Sequence, residues 1–220
     1  MSKKRQLRDL GILVVHDASK CTHLAAPSVL RTPKFVNALA YGPDVVSTEF
    51  IAQCLKKDEL LDPSGFPLVD KAAEDKFKFT ISDATVRAKT NKNKLLQGYH
   101  ICCADSIRGG FETFKSIVLS NGGDCILFRG RHALPPNIRQ DKDESDEETE
   151  GEPSRNEVYL LSGVTPEQTK LWPRFRQMVG DLGKSPRIVR VDWLLDIAMS
   201  QKLRSADGYE LDENSIKMAE

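Results

Sequence analysis

Two cations, Arg31 and Lys34, stand three residues apart in the stretch LRTPKF, on either side of a Thr-Pro pair. Thr32 is a good helix N-cap and Pro33 a favoured first helical residue, which puts Lys34 at the second helical position. Its ammonium then stands beside main-chain N–H groups that have no partner within the helix, at the positive end of the helix dipole. Donors and charge so placed favour an anion. A second start of the same kind, VTPEQTK, sets Thr165 and Pro166 ahead of Glu167, with Gln168 placed to complete a capping box. A carboxylate at that position repels an anion, so only the first of the two starts reads as a binding site.

Other chemistries find little support. The five cysteines (Cys21, Cys54, Cys102, Cys103 and Cys125) include no C-x-x-C pair, and the four histidines are scattered. Neither a disulfide framework nor a zinc site is expected, and the thiols read as buried and reduced. His16 and His23 flank short apolar runs without an acidic or nucleophilic partner at a recognisable spacing, so both read as structural. There is no G-x-x-x-x-G-K-[ST] loop, no G-x-S-x-G elbow and no metal-ligand cluster. No enzyme activity, cofactor, metal or small-molecule substrate is expected. No apolar run approaches the roughly 18 residues of a membrane span. The opening MSKKRQLRDL is basic without an apolar signal core, so no membrane partner is expected either.

The formal net charge of zero hides a division. Residues 141–152, DKDESDEETEGE, carry eight acids and one lysine, a net of -7, which leaves +7 on the rest of the chain. The first 40 residues hold seven Lys or Arg against two Asp. A cationic body with a separable acidic segment suits an anionic partner. That segment has the charge density and lack of apolar residues of a disordered, solubilising loop. Ser145 and Thr149 within it are followed by acids, as acidophilic kinases prefer, and modification would deepen its charge. Bound back on the body, it would compete for the cationic groove.

The elements that must position these residues are short and alternate. ILVV at residues 12–15 and THLAA at 22–26 have strand length, and a helix is expected over about residues 33–41, stopped by Gly42-Pro43. DVVS reads as a buried strand, followed by a helix over about 48–57 with Ser47 as its N-cap. A basic helix with Ser82 as N-cap is expected to run to about Leu96. The order then recurs: YHICC, CILF and EVYLL are strands, and FETFKSIVLSNGG is a helix ending in glycine. Aligning VVSTEFIAQCLKKDEL with IVRVDWLLDIAMSQKL places Phe50 on Trp193, Ile51 on Leu194 and Leu60 on Leu203, an internal duplication. Trp193 and Phe50 read as core anchors.

The motif RVDWLLDIA, the Gly122-Gly123 pair, the THLA strand, the RTPKF helix start and the linker SDATVRA…LLQGYHI together resemble the tandem BRCT repeat, a phosphopeptide-binding module of DNA-damage-response proteins. The likeness covers nearly the whole chain and leans toward the C-terminal phospho-histone-reading pair of fungal multi-BRCT scaffolds. It implies an α/β fold of two small units, each a short parallel sheet flanked by helices, packed in tandem through a linker helix. The expected boundaries are 1–75 for the first unit, 76–97 for the linker with its helix, and 98–220 for the second unit, with a disordered acidic insertion at about 135–156. The chain opens inside what the resemblance takes as a helix, KKRQLRDLGI. The first unit is therefore expected to lack the family's opening strand and the Ser/Thr-Gly pair that helps hold phosphate, as if an N-terminal segment were missing.

The resemblance also assigns roles. Lys34 and Thr32 match phosphate-binding positions. Arg31 matches the arginine that holds the main chain, or a terminal carboxylate, three residues after the phosphoserine. Val36, Ile107, Arg108 and Gly110 match positions facing the peptide groove. The implied function is a nuclear, non-enzymatic reader of a phosphoserine motif at or near a protein C-terminus, with C-terminally phosphorylated histone 2A as candidate partner. DNA-end or phosphate-backbone binding through the same basic face, and phosphate-independent protein contact, are the alternatives.

Overall fold

The computed structural model describes residues 2–130 and 156–212. They form two compact units, one of Met1–Lys92 with Ala198–Gln201, the other of Asn93–Ile197 with Lys202–Glu220. The acidic insertion, with Ser145 and Thr149, lies outside the described residues up to residue 155.

In the first unit, helix α1 (Lys3–Asp9) is followed by strand β1 (His23–Ala26), helix α2 (Pro33–Leu39), strand β2 (Asp44–Ser47) and helix α3 (Glu49–Lys57). Helices α4 (Lys71–Phe77) and α5 (Ile81–Asn91) complete it. β1 and β2 pair in parallel, from His23 opposite Asp44 to Ala26 opposite Ser47. Phe50 and Cys54 of α3 bury against Val46 of β2, with Leu10, Ile12, Ile51, Leu61 and Phe66 around them. The Phe50 and Phe66 rings meet at 5.8 Å.

The second unit is built on four parallel strands in the order β4-β3-β5-β6. They are β3 (His100–Ala104), β4 (Asp124–Phe128), β5 (Glu157–Ser162) and β6 (Ser185–Arg190). β3 is buried throughout, as an inner strand covered on both faces must be. Helices α6 (Phe111–Ser120), α7 (Pro166–Thr169), α8 (Trp172–Gly180) and α9 (Val191–Ser200) flank the sheet. Trp172, Phe175 and Val179 of α8 pack on Cys102, Phe128, Val158, Leu160 and Ile188 of the strands. Trp193 of α9 has no exposed surface. It stacks on Tyr159 at 4.3 Å, and its Nε1 donates to the Arg204 carbonyl at 3.0 Å. The Gly122-Gly123 pair is steric. A Cβ on Gly122, whose φ is +81°, would sit 2.2 Å from the Asn93 carbonyl oxygen, and one on Gly123 would sit 2.9 Å from Leu96 Cβ.

Several expected boundaries move. Residues 12–15 form no strand; Leu13, Val14 and Val15 are 70%, 52% and 43% exposed. An apolar run of strand length still needs a neighbour for its main-chain groups, and among the described residues no strand pairs with it. Helix α2 ends at Leu39 rather than Tyr41. Helix α3 is one residue shorter at its start than expected, yet Ser47 Oγ still accepts from Glu49 N at 3.2 Å. The basic helix α5 begins earlier, capped by Thr80 through Asp83 N, and stops at Asn91 because Lys92 and Asn93 turn left-handed, with φ of 50° and 64°. Helix α4 went unforeseen, although Asp70 ahead of KAAEDKF is a regular N-cap signal.

Candidate functional site

The residues Arg31, Thr32 and Lys34 follow the carboxyl end of β1, the side of a parallel α/β sheet where ligands are generally received. Helix α2 turns Phe35, Val36, Ala38 and Leu39 into the core, which leaves the opposite face of its first turn outward. Thr32, Pro33 and Lys34 are accordingly exposed, and Arg31 is half-buried. The first main-chain bond of the helix runs from Val36 N to the Thr32 carbonyl at 3.0 Å, so the Lys34 and Phe35 amides precede it. With only seven residues, α2 has a small dipole, and the Lys34 ammonium adds to the positive potential there. Thr32 has the extended N-cap conformation, but its hydroxyl makes no capping bond.

The loop before α2 is tied down. Asp70 Oδ2 accepts from Val29 N at 3.0 Å, while Oδ1 of the same carboxylate accepts from Ala73 N at 3.1 Å and caps α4. At the far end of α4, Phe77 carries the Arg31 guanidinium 5.0 Å from its ring centroid and the Lys76 ammonium at 5.3 Å. Such cation–π contacts are worth about 0.5–2 kcal/mol, more as they are desolvated. Neither Lys76 nor Phe77 was expected to matter. The Asp70 cap signal, which places α4, was the clue in the sequence.

The matching start in the second unit is built differently. Thr165 Oγ1 donates to Gln168 Oε1 at 3.3 Å, and Gln168 Nε2 donates to the Ser106 carbonyl at 3.3 Å. The expected capping box therefore does not form: Gln168 is 2% exposed, and its amide is spent inward. Gly163 leaves it room, since a Cβ there would lie 2.6 Å from Gln168 Oε1. Glu167 is exposed where the first unit has Lys34.

Of the four residues expected to face a groove, Val36 has no exposed surface and Ile107 is 7% exposed, so neither presents its side chain, whereas Arg108 and Gly110 are exposed. Ile107, Arg108 and Gly110 form the loop after the carboxyl end of β3, closed by Gly110 N donating to the Ile107 carbonyl at 3.0 Å. Gly110 has φ of +82° and open space where a Cβ would be, so its backbone, not crowding, calls for glycine.

The remaining reactive groups are spent on the fold. Burial pushes the Cys103 and Cys125 thiols up to about 12, which makes them poor nucleophiles. Arg187 joins Glu157, at 2.6 Å, to Glu210, at 2.7 Å, and the Tyr159 hydroxyl bonds Glu157, so this cluster clamps the start of β5 to β6. Among the described residues no group of three or more His, Cys, Asp or Glu side chains is placed to hold a metal. No described helix is long and apolar enough to cross a membrane.

Comparison with known proteins agrees with this architecture. The family described as Regulator of Ty1 transposition protein 107 BRCT domain matches residues 1–68. BRCT-containing protein 1 of Schizosaccharomyces pombe is 36% identical over 121 residues, which cover 54% of this chain and 14% of that protein. Mediator of DNA damage checkpoint protein 1 of Homo sapiens is 27% identical over 135 residues, 61% of this chain and 6% of that protein. The chain thus spans a small part of the curated relatives it matches. The crystal structure of the S. pombe Brc1 BRCT5-BRCT6 domains superposes with a TM-score of 0.73 at 26% identity, covering 98% of this chain and 94% of that one. The complex of Rtt107p with phosphorylated histone 2A shares the fold at a TM-score of 0.59 and 18% identity, over 91% of this chain and 80% of that one. Four parallel strands in one unit, a Thr-Pro helix start in both and likeness over almost the full length give this chain the fold of a tandem BRCT repeat, resembling the BRCT pair of fungal scaffold proteins.

Proposed function

We propose that this chain is a binding module rather than an enzyme, reading a phosphoserine at or near a protein C-terminus as part of a nuclear DNA-damage-response scaffold. The observation that carries the reading is the asymmetry of the two Thr-Pro starts. One presents exposed Lys34 beside an Arg31 held on Phe77, and the other presents Glu167. In this reading Lys34 and the Thr32 hydroxyl take the phosphate, and Arg31 takes the terminal carboxylate or the main chain three residues on. Arg suits the second task because its planar fork matches a carboxylate, while Lys acts as a point charge. Arg108 and Gly110 are exposed on the second unit, with Ile107 supporting their loop, and Val36 supports α2 from within the first. C-terminally phosphorylated histone 2A is the candidate ligand, supported by the Rtt107p complex, which holds that partner.

The test is a titration of a short peptide ending in phosphoserine plus three residues, against its unphosphorylated and C-terminally amidated forms. Phosphate dependence together with weaker binding of the amide is the expected result. Equal binding of all three forms would sink the reading. Binding that falls steeply with salt and ignores peptide sequence would point instead to a nucleic-acid backbone.

Phosphate-independent protein contact is a second reading, favoured by exposed Leu13, Val14 and Val15. An apolar segment that pairs with no strand among the described residues suits addition of a partner strand. Capture of one partner equally well before and after phosphatase treatment would support it over the first.

A further inference from the structure

We infer that helix α4 braces the anion site and that Phe77 is a positioning residue, holding Arg31 in the pose from which it takes a carboxylate. The inference rests on the role proposed for Arg31 above.

Helix α4 meets the loop before α2 at both of its ends. At its start, the two oxygens of Asp70 serve Ala73 N of the helix and Val29 N of the loop, so one carboxylate fixes both segments. At its last residue, Phe77 lies against the guanidinium of Arg31, only two residues beyond Val29. Asp70 and Phe77, at the two ends of α4, thus hold the Val29 main chain and the Arg31 guanidinium to one helix. An arginine resting on an aromatic ring has lost part of the rotamer freedom that a ligand would otherwise have to remove.

The type of brace matters as well. An aromatic ring orients a guanidinium without cancelling its charge, whereas an acid at position 77 would compete with the ligand. Lys76, over the same ring, adds to the positive potential at this corner. α4 is thereby joined to the binding function although none of its residues is assigned to touch the ligand.

Two measurements on the full chain test this. In the unliganded protein, the Arg31 Nε–Hε signal should show a ring-current shift and restricted motion. Both should be lost in Phe77→Leu and kept in Phe77→Tyr. An Arg31 signal indifferent to Phe77→Leu overturns the brace. In the peptide titration, Phe77→Leu should weaken the free-carboxylate peptide about three- to tenfold and leave the amidated one unchanged, with Phe77→Tyr close to the parent. Equal losses on both peptides mean that Phe77 only props the fold, and overturn the positioning role. A parent chain that binds neither peptide defeats the phosphoserine reading and the ligand role of Arg31 with it, while the NMR arm still judges the brace alone.

Discussion

In the first unit Thr32-Pro33 opens a seven-residue helix, leaves Lys34 exposed and keeps the threonine hydroxyl off its own helix. In the second, Thr165-Pro166 opens a four-residue helix, exposes Glu167 and commits Thr165 to a buried glutamine. The Thr-Pro start is thus a shared device for entering a helix after a parallel strand. Charge and hydroxyl availability, set by the next two residues, distinguish the two starts. Their cores differ in a parallel way. The second unit stacks Trp193 on Tyr159, and the first makes do with a smaller Phe50 tilted against Phe66.

The core contrast should give the largest effect. Trp193→Ala removes a fully buried indole and its bond to Arg204, and should cost about 3–5 kcal/mol, with Phe50→Ala at the lower end of that range. Denaturant melts that follow Tyr159 and Phe66 reporters separately would show it, and equal costs would erase the contrast. Next is Lys34→Ala, expected to weaken phosphopeptide binding by roughly ten- to a hundredfold, about 1.5–3 kcal/mol for one charge-assisted contact. Unchanged affinity by calorimetry would move the site elsewhere.

A more gradual effect belongs to the second unit. Cys103 and Cys125 are raised from 9.0 to about 12 by burial, so above about pH 9 they stay neutral in the fold and ionise once unfolded. Their contribution to stability is complete below about pH 9 and fades as pH rises toward 12. The unfolding midpoint of this unit should fall across that window, and a flat profile would contradict the burial. The smallest effect is expected from Glu167→Lys. Restoring the cation alone should change phosphopeptide affinity less than about twofold, under about 0.5 kcal/mol, because Thr165 stays bound to Gln168. A clear gain would mean that charge alone makes the site.

Much of this was legible in the sequence because it was local or repeated. The duplicated strand-then-helix with Phe50 and Trp193 and the alternating α/β order leave period or spacing signals that survive without a fold, while the parallel sheet and the glycine pair were legible through the resemblance. Residues 12–15 misled because strand formation depends on a neighbour that no local pattern encodes. The capping box at Thr165 failed because Gln168 found the Ser106 carbonyl, a partner 62 residues away. Phe77 stayed hidden for the same reason, since its contact with Arg31 spans the length of the first unit's sheet and loops. The exposed helix start that carries Thr32 and Lys34, with Arg31 just ahead of it, could be read in advance. What holds Arg31 in place could not.

The strand order β4-β3-β5-β6 also sets how much chain the second unit needs between Phe128 and Glu157. β4 and β5 lie one strand apart, so the connection must cross two inter-strand spacings, about 10 Å, and return along a strand of about 17 Å. A dozen residues have ample reach for that path, yet 28 lie between these two positions. That is more chain than the sheet requires. Shortening the connection by half should leave the register of β3, β4 and β5 intact. The length of this segment is therefore free to be set by something other than folding.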